Sequence, residues 1–308
     1  MTNIINIKSI SEDRKKIFFT SSMEGEISIK VRDGFNEIPY FFKVYPGESF
    51  WISWLYSWYD KEVVFKIKKF EENFFIKGTK IDLSDEFFGS FVKKTQFQER
   101  TPLCEIMDKN GSDKGSRPEG SELTGHNYSR LYYNLFAPFS NDPINIFELG
   151  LGTNNIDIPS NMGSDGHPCA SLRSWEQFFP NGNVFGADID LNILIDGDRS
   201  KTFYCDQNSP KIISQMWGHK DLQMEFDFII EDGLHEFNSN VMFLENSVHK
   251  IKKGGYYIIE DISIDEIFNW KKYFDENSLR YSEFEYNFIL LDCEYNRYDN
   301  NLILLKRK

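Results

Sequence analysis

Two acidic stretches, each at the end of a short apolar run, hold the residues of this chain best suited to chemistry. Residues 226–236 read FDFIIEDGLHE, an apolar run that changes within one residue to Glu231 and Asp232 and then, past Gly233, reaches His235. The design repeats further on, where Gly254-Gly255 lead into YYII and that run ends in Glu260-Asp261. Runs of this kind suit strands buried on both faces of a parallel sheet, and in an open α/β sheet ligands bind beyond the carboxyl ends of the strands. Asp232, Glu260 and Asp261 would then converge, and three carboxylates suit a hard divalent cation that prefers oxygen ligands. His235, one short turn past Asp232, is placed to serve as a general base near neutral pH. The plainer alternative makes these acids helix caps and solvated loop entries, but the paired arrangement with a histidine beside it favours a site.

The elements that must position these residues can be read around them. Residues 144–152, INIFELGLG, give a buried strand ending in Glu148, after which Gly150 and Gly152 let the backbone turn tightly and approach a ligand closely. The stretch departs from the dinucleotide fingerprint, because GLGTNN has no third glycine. A polar loop, 153–168, follows, and a loop of that length inside a compact domain is usually functional. Helical spacing resumes at 169–179, and the next strand, 183–189, ends in Asp188 and Asp190. An acid at the end of the second strand is placed to accept hydrogen bonds from ribose hydroxyls. A short strand at 202–205 ends in Asp206, and 210–217 is a helix. Residues 236–252 read as a helix with apolar positions at Phe237, Val241, Leu244, Val248 and Ile251, closing on lysines and Gly254. Two last strands, 284–291 and 301–305, are joined so closely that they must pair antiparallel.

The chain has 308 residues, enough for one large domain or two ordinary ones. Its net charge of −13 argues against a nucleic-acid partner, which would need clustered lysine and arginine. No apolar run is long enough to span a membrane, and the N-terminus has no signal-peptide pattern, so a cytoplasmic location is expected. Four scattered cysteines without CxxC spacing suggest neither zinc nor a disulfide framework.

Residues 1–95 read as a separate β-rich domain: short aromatic or β-branched segments at 15–20, 26–32, 40–45, 62–68 and 73–77 are divided by turn signals at Asp33-Gly34, Pro46-Gly47 and Lys77-Gly78. The cluster WISWLYSWY, 51–59, is either a buried or subunit-contact face or an aromatic platform for a sugar ring. Residues 82–100 read as linker with some helix, and the second domain occupies 101–308. Within it KNGSDKGS, 109–116, is too rich in glycine and charge to be a core element, and such a loop either lies on the surface or folds over a ligand.

The order ELGLG, GADID, YCD, FDFIIEDGLHE and GGYYIIED resembles the class I S-adenosylmethionine-dependent methyltransferases, and among them the metal-dependent sugar O-methyltransferases that act on macrolide-type glycosides. SDKGS with HNYSRLY, and SLRSWEQFFPNGNVFGADID, resemble the same group. The resemblance covers roughly 105–308 and implies a Rossmann-like, mostly parallel α/β sheet with an antiparallel last strand. It implies S-adenosylmethionine and magnesium, or another divalent cation, as cofactors, and a small-molecule sugar as substrate. Carried over by position, Glu148, Gly150 and Gly152 would line the methionine side of the cofactor, Asp188 would hold the ribose and Asp206 would lie near the adenine. Asp232, Glu260 and Asp261 match the magnesium-binding positions and His235 the base. By analogy, the N-terminal domain would assemble a homo-oligomer or contact substrate. The competing expectation is a carbohydrate-binding or assembly protein with an inactive methyltransferase fold.

Overall fold

The computed structural model describes residues 4–10, 16–31, 42–53, 62–75, 88–97, 99–115, 125–164, 166–293, 296 and 299–308. The chain forms two compact units, Met1–Asp82 and Leu83–Lys308.

In the first unit the described strands pair antiparallel. Strands β1 (Ile5–Ile10), β2 (Lys16–Ser21) and β5 (Ser49–Ser53) form one sheet; β4 (Phe42–Val44), β3 (Gly25–Val31), β6 (Glu62–Ile67) and β7 (Phe70–Phe75) form another. Side chains alternate along β2, with Ile17 and Phe19 buried and Lys16 exposed, as a strand with one wet face requires. Ile17 and Phe19 from one sheet meet Ile27, Val63, Phe65 and Phe74 from the other in a single core, where the Phe19 and Phe65 rings lie 4.8 Å apart. Of the aromatic cluster at 51–59, Trp51 is exposed beneath the Lys16 ammonium, 4.4 Å from its ring, and Ile52 is buried. Residues 54–59 of the cluster, and the turns at Asp33-Gly34 and Lys77-Gly78, lie outside the described residues.

The second unit is built on an eight-stranded sheet. In chain order its elements are β8 (Val92–Thr95), α1 (Pro102–Asn110), α2 (Tyr128–Phe136), β9 (Asn145–Leu149), α3 (Ala170–Phe178), β10 (Asn183–Asp188), β11 (Ser200–Tyr204), α4 (Pro210–Trp217), β12 (Phe226–Glu231), α5 (Phe237–Ser247), β13 (Ile251–Ile259), α6 (Ile267–Glu276), β14 (Phe284–Leu291) and β15 (Asn301–Arg307). The sheet order is β11-β10-β9-β12-β13-β15-β14-β8, parallel from β11 to β13, with β15 antiparallel to both neighbours. The order reverses beside β9, the switch point at which α/β sheets open a ligand crevice. All six residues of β12 are buried, as expected of a central strand covered on both faces. The core on one face gathers Tyr132, Phe136, Trp175, Phe179 and Phe228. None of the described helices is long and apolar enough to cross a membrane.

Three sequence expectations are corrected here. The division falls after Asp82 rather than near 95, because Val92–Thr95 is no linker: it pairs in parallel with β14 at the edge of the large sheet. The helix expected over 236–252 stops at Ser247, and Lys252-Lys253-Gly254 belong to β13, where Gly254 takes φ 84° and the pairing with β12 shifts register. Its buried face is Ser239, Asn240, Phe243, Leu244 and Ser247, a different stripe from the one expected. Finally, the expectation that 109–116 cannot be a core element fails at two residues: Lys114 and Gly115 are buried in a single 3-10 turn, Asp113–Gly115, while Asp113 is exposed.

Candidate active site

The carboxyl ends of β9, β10, β12 and β13 supply the site. After β9 the chain turns on Gly150 and Gly152, at φ 84° and 72°, which only glycine adopts freely. A side chain on Gly150 would also collide with the carbonyl oxygen of Asp232, 1.8 Å from the position of its Cβ. Gly150→Ala is therefore expected to cost well over the ~1–2 kcal/mol of the backbone conformation alone. Gly163, at φ 70° with nothing within 4 Å, should show only the backbone cost, so a thermal melt of both variants separates strain from collision.

Gly150 and Gly152 line a cavity of about 960 Å³ together with Asp188, Asp206, Lys114, Asp232, His235 and Asp261, and residues 158–162 of the long loop close part of its wall. Asp188 is buried and accepts from the backbone N–H groups of Leu151 (2.7 Å) and Asp190 (2.8 Å), which favour its charged form although burial raises its pKa. These bonds bind the end of β10 to the glycine turn.

At the other end of the cavity four acids surround two basic side chains. Lys114, about 3% exposed, sends its Nζ to the carboxylates of Asp232 and Glu260, the latter at 2.7 Å, and lies 3.7 Å from Glu148 Oε1. Burial opposes its charge, but the three acids outweigh that and hold its pKa well above the usual lysine value. His235 lies between Asp232 (Nε2 to Oδ1, 3.0 Å) and Asp261 (Nδ1 to Oδ2, 3.4 Å). Burial pulls its pKa down, yet those two carboxylates carry it up to about 10, so the imidazole is charged in this arrangement. Burial likewise works against Asp232, but Lys114 and His235 hold its pKa below the ordinary carboxylate range. Asp261 also accepts from the Tyr128 hydroxyl at 2.8 Å, and His126, stacked on Tyr128, reaches it at 3.4 Å. Both His235 and Asp261 have positive φ, 58° and 55°. Two such residues at adjoining strand ends mark local strain of the kind that gathers at functional sites.

The predicted residues do not all meet. Asp232, His235 and Asp261 offer ligand atoms within 4.8 Å of one another, the separation a single metal ion can span. Glu260 lies behind them, with one oxygen bonded by Lys114 and the other by the Tyr132 hydroxyl. Glu148 does not line the cavity; it is fully buried, accepts from Trp175 Nε1 at 2.8 Å, and burial pushes its pKa up to about 7. Asp206 lines the cavity and caps its own turn by accepting from the Asn208 N–H. Gln207 escaped the sequence reading as a site residue. The only sequence signal for Lys114 was its place in the SDKGS motif.

A sheet with this strand order, an antiparallel strand third from the β8 edge and a glycine turn after β9 has the Rossmann-like fold of the class I methyltransferases. The MycE methyltransferase of mycinamycin biosynthesis, solved in complex with Mg and SAH, superimposes with a TM-score of 0.50 at 16% identity, over 86% of this chain and 80% of that one. No family model matches the chain. In sequence it is similar to the 8-demethyl-8-(2-methoxy-alpha-L-rhamnosyl)-tetracenomycin-C 3'-O-methyltransferase of Streptomyces olivaceus, 28% identical over 137 residues, covering 44% of this chain and 32% of the relative. It is also similar to the mycinamicin VI 2''-O-methyltransferase of Micromonospora griseorubida, 30% identical over 161 residues, 48% of this chain and 37% of that protein. The chain thus spans about a third of the length of these relatives. The resemblance read from its motifs holds, since these relatives are glycoside O-methyltransferases.

Proposed function

We propose that the chain is an S-adenosylmethionine-dependent O-methyltransferase acting on a sugar hydroxyl, with a divalent cation at the acidic cluster and His235 as proton acceptor. The observation that carries this reading is the meeting of Asp232, His235 and Asp261 in the cavity that the glycine turn opens. Its volume, about 960 Å³, suits a cofactor with a small substrate. Gly150 and Gly152 would let the methionine part approach the backbone, while Asp188 and Asp206, in the same cavity, suit ribose and adenine. The names of the relatives supply the sugar.

The donor set fits a hard cation: Asp232 and Asp261 would hold it, and Glu260 would join them once released by Lys114. When bound, such an ion lowers the pKa of a coordinated hydroxyl and fixes its position. His235 can accept that proton only as neutral imidazole. The carboxylates that now keep it charged are the same ones a cation would engage, so loading the site would free the ring to act as base. The remaining task of the chain is alignment of oxygen, methyl carbon and sulfur, which the rigid turn at Gly150 and the loop wall at 158–162 serve. A cytoplasmic, homo-oligomeric enzyme assembled through the N-terminal unit completes the reading, and light scattering of the full chain tests the assembly.

Titration of S-adenosylhomocysteine into the protein by calorimetry, with chelator and with magnesium, tests the cofactor. Micromolar binding in both is expected, followed by a mass gain of one methyl on rhamnosyl or related glycosides. Turnover should vanish with chelator and return with magnesium. No binding in either titration overturns the reaction, and turnover indifferent to chelation removes the cation from it.

A further inference from the structure

The loop that carries Asp232 and His235 is held by a pair of side chains outside the proposed chemistry. Gln207, 7% exposed, lies just after β11 and lines the cavity next to Asp206. Its Nε2 donates to Glu231 Oε1 at 2.7 Å, and its Oε1 accepts the backbone N–H of Leu234 at 2.8 Å. Glu231 Oε1 also accepts the N–H of Gly233 at 3.2 Å. Two successive backbone donors of the loop are therefore bound by this pair. Gly233 is packed so closely that a Cβ would stand 2.1 Å from Gln207 Oε1. Without such a hold, a histidine at φ 58° would relax toward the ordinary regions of backbone space.

We propose that Gln207, through Glu231, is a positioning residue that fixes the Asp232–His235 loop and ties it to the cofactor side of the cavity. It touches no reacting atom. Its effect is to keep Asp232 and His235 aimed at Asp261, so loosening it blurs the cation site while leaving intact the bonds of Asp188 to the Leu151 and Asp190 backbone. The inference rests on the methyltransferase reading above for its consequence, although the loop contact itself does not.

Three variants in the full chain test it: Gln207→Ala, Gln207→Glu, and Gln207→Glu with Glu231→Gln. The double variant restores the bond between the two side chains with its donor and acceptor exchanged, since the amide nitrogen now at position 231 can donate to the carboxylate now at position 207, while the Gly233 N–H, which shares Oε1 of Glu231 in the native pair, loses that acceptor. Gln207→Glu alone sets two carboxylates face to face. The readouts are Mn²⁺ affinity by paramagnetic resonance, S-adenosylhomocysteine affinity by calorimetry, and amide exchange over 233–236. Loss of an outer partner of a metal ligand typically costs ~10–100-fold in metal affinity. That loss is expected in both single variants, with faster exchange at Leu234, and it should exceed any loss of S-adenosylhomocysteine affinity. The exchanged pair should regain most of the affinity and the protection, a rescue that generic destabilisation would not give. Wild-type Mn²⁺ affinity in Gln207→Ala, or an exchanged pair no better than Gln207→Glu, overturns the proposal. If Gln207→Ala does not fold, the comparison of Gln207→Glu with the exchanged pair decides. A wild-type chain that binds neither Mn²⁺ nor S-adenosylhomocysteine overturns the methyltransferase reading instead, and Leu234 exchange still reports on the loop contact.

Discussion

His235→Ala is expected to lose methyl transfer by ~10²–10⁴-fold, the usual contribution of a positioned general base, while S-adenosylhomocysteine still binds. The split follows from the layout of the cavity. His235 contacts Asp232 and Asp261 at one end, whereas Gly150, Gly152 and Asp188 form another part of its wall. Alanine at this position has a second effect, because the residue stands at φ 58°. Asparagine tolerates that conformation far better than most residues and cannot serve as the base. His235→Asn therefore separates the two causes: if the loop geometry alone mattered, His235→Asn would keep substantial activity. Equal loss in both variants, with Mn²⁺ still bound by the Asp232 and Asp261 carboxylates, is the result expected of a base. Full turnover in either variant would falsify the role.

The chain made its central strands legible and its edges obscure, for physical reasons. FDFIIE and NIFEL are short, mainly apolar runs that suit buried strands, and both lie where the sequence reading put them. VKKT shows no such signal, since an edge strand with two exposed lysines has nothing to hide. Lys252-Lys253-Gly254 imitates a helix end, but the glycine's positive φ there serves a register shift within β13. At the site, the acids at strand ends were readable because strand polarity fixes where such residues point. Which of them share a ligand was not. Glu260 and Asp261 are adjacent, yet Glu260 turns to Tyr132 and Lys114 and Asp261 to Tyr128 and His235. Glu148 was expected at the cofactor because it precedes the glycine turn, but its side chain runs into the core toward Trp175. Contacts of this kind depend on α1, α2 and α3 packing against the sheet, and no local spacing encodes them.

Lys114→Met should have the largest effect on stability, and its size should depend on pH. In chelator near neutral pH, the variant leaves Asp232, Glu260 and Glu148 without the ammonium that lies among them. Removing one partner of a buried ion pair costs about 3–5 kcal/mol, which in a unit of this size lowers Tm by roughly 10 °C. The folded pKa of Glu148 is raised from 4.5 to about 7 by burial, and that of Glu260 is raised as well. An acid raised in this way supports the fold while protonated and weakens it as pH climbs through its folded value. The deficit of Lys114→Met should accordingly widen as pH climbs through about 7, where Glu148 of the wild-type chain ionises against the ammonium and the same acid in the variant faces no cation, and narrow below it, where neutral Glu148 no longer pairs with Lys114 and Asp232 still does. Deleting that positive charge should also tighten Mn²⁺ binding, on the order of tenfold or more, because the cation and the ammonium share Asp232 as a partner. Thermal melts at the two pH values, each with chelator and with Mn²⁺, give all four comparisons. A variant equally destabilised at both pH values, with unchanged Mn²⁺ affinity, would mean that Lys114 matters for its packing and not for its charge.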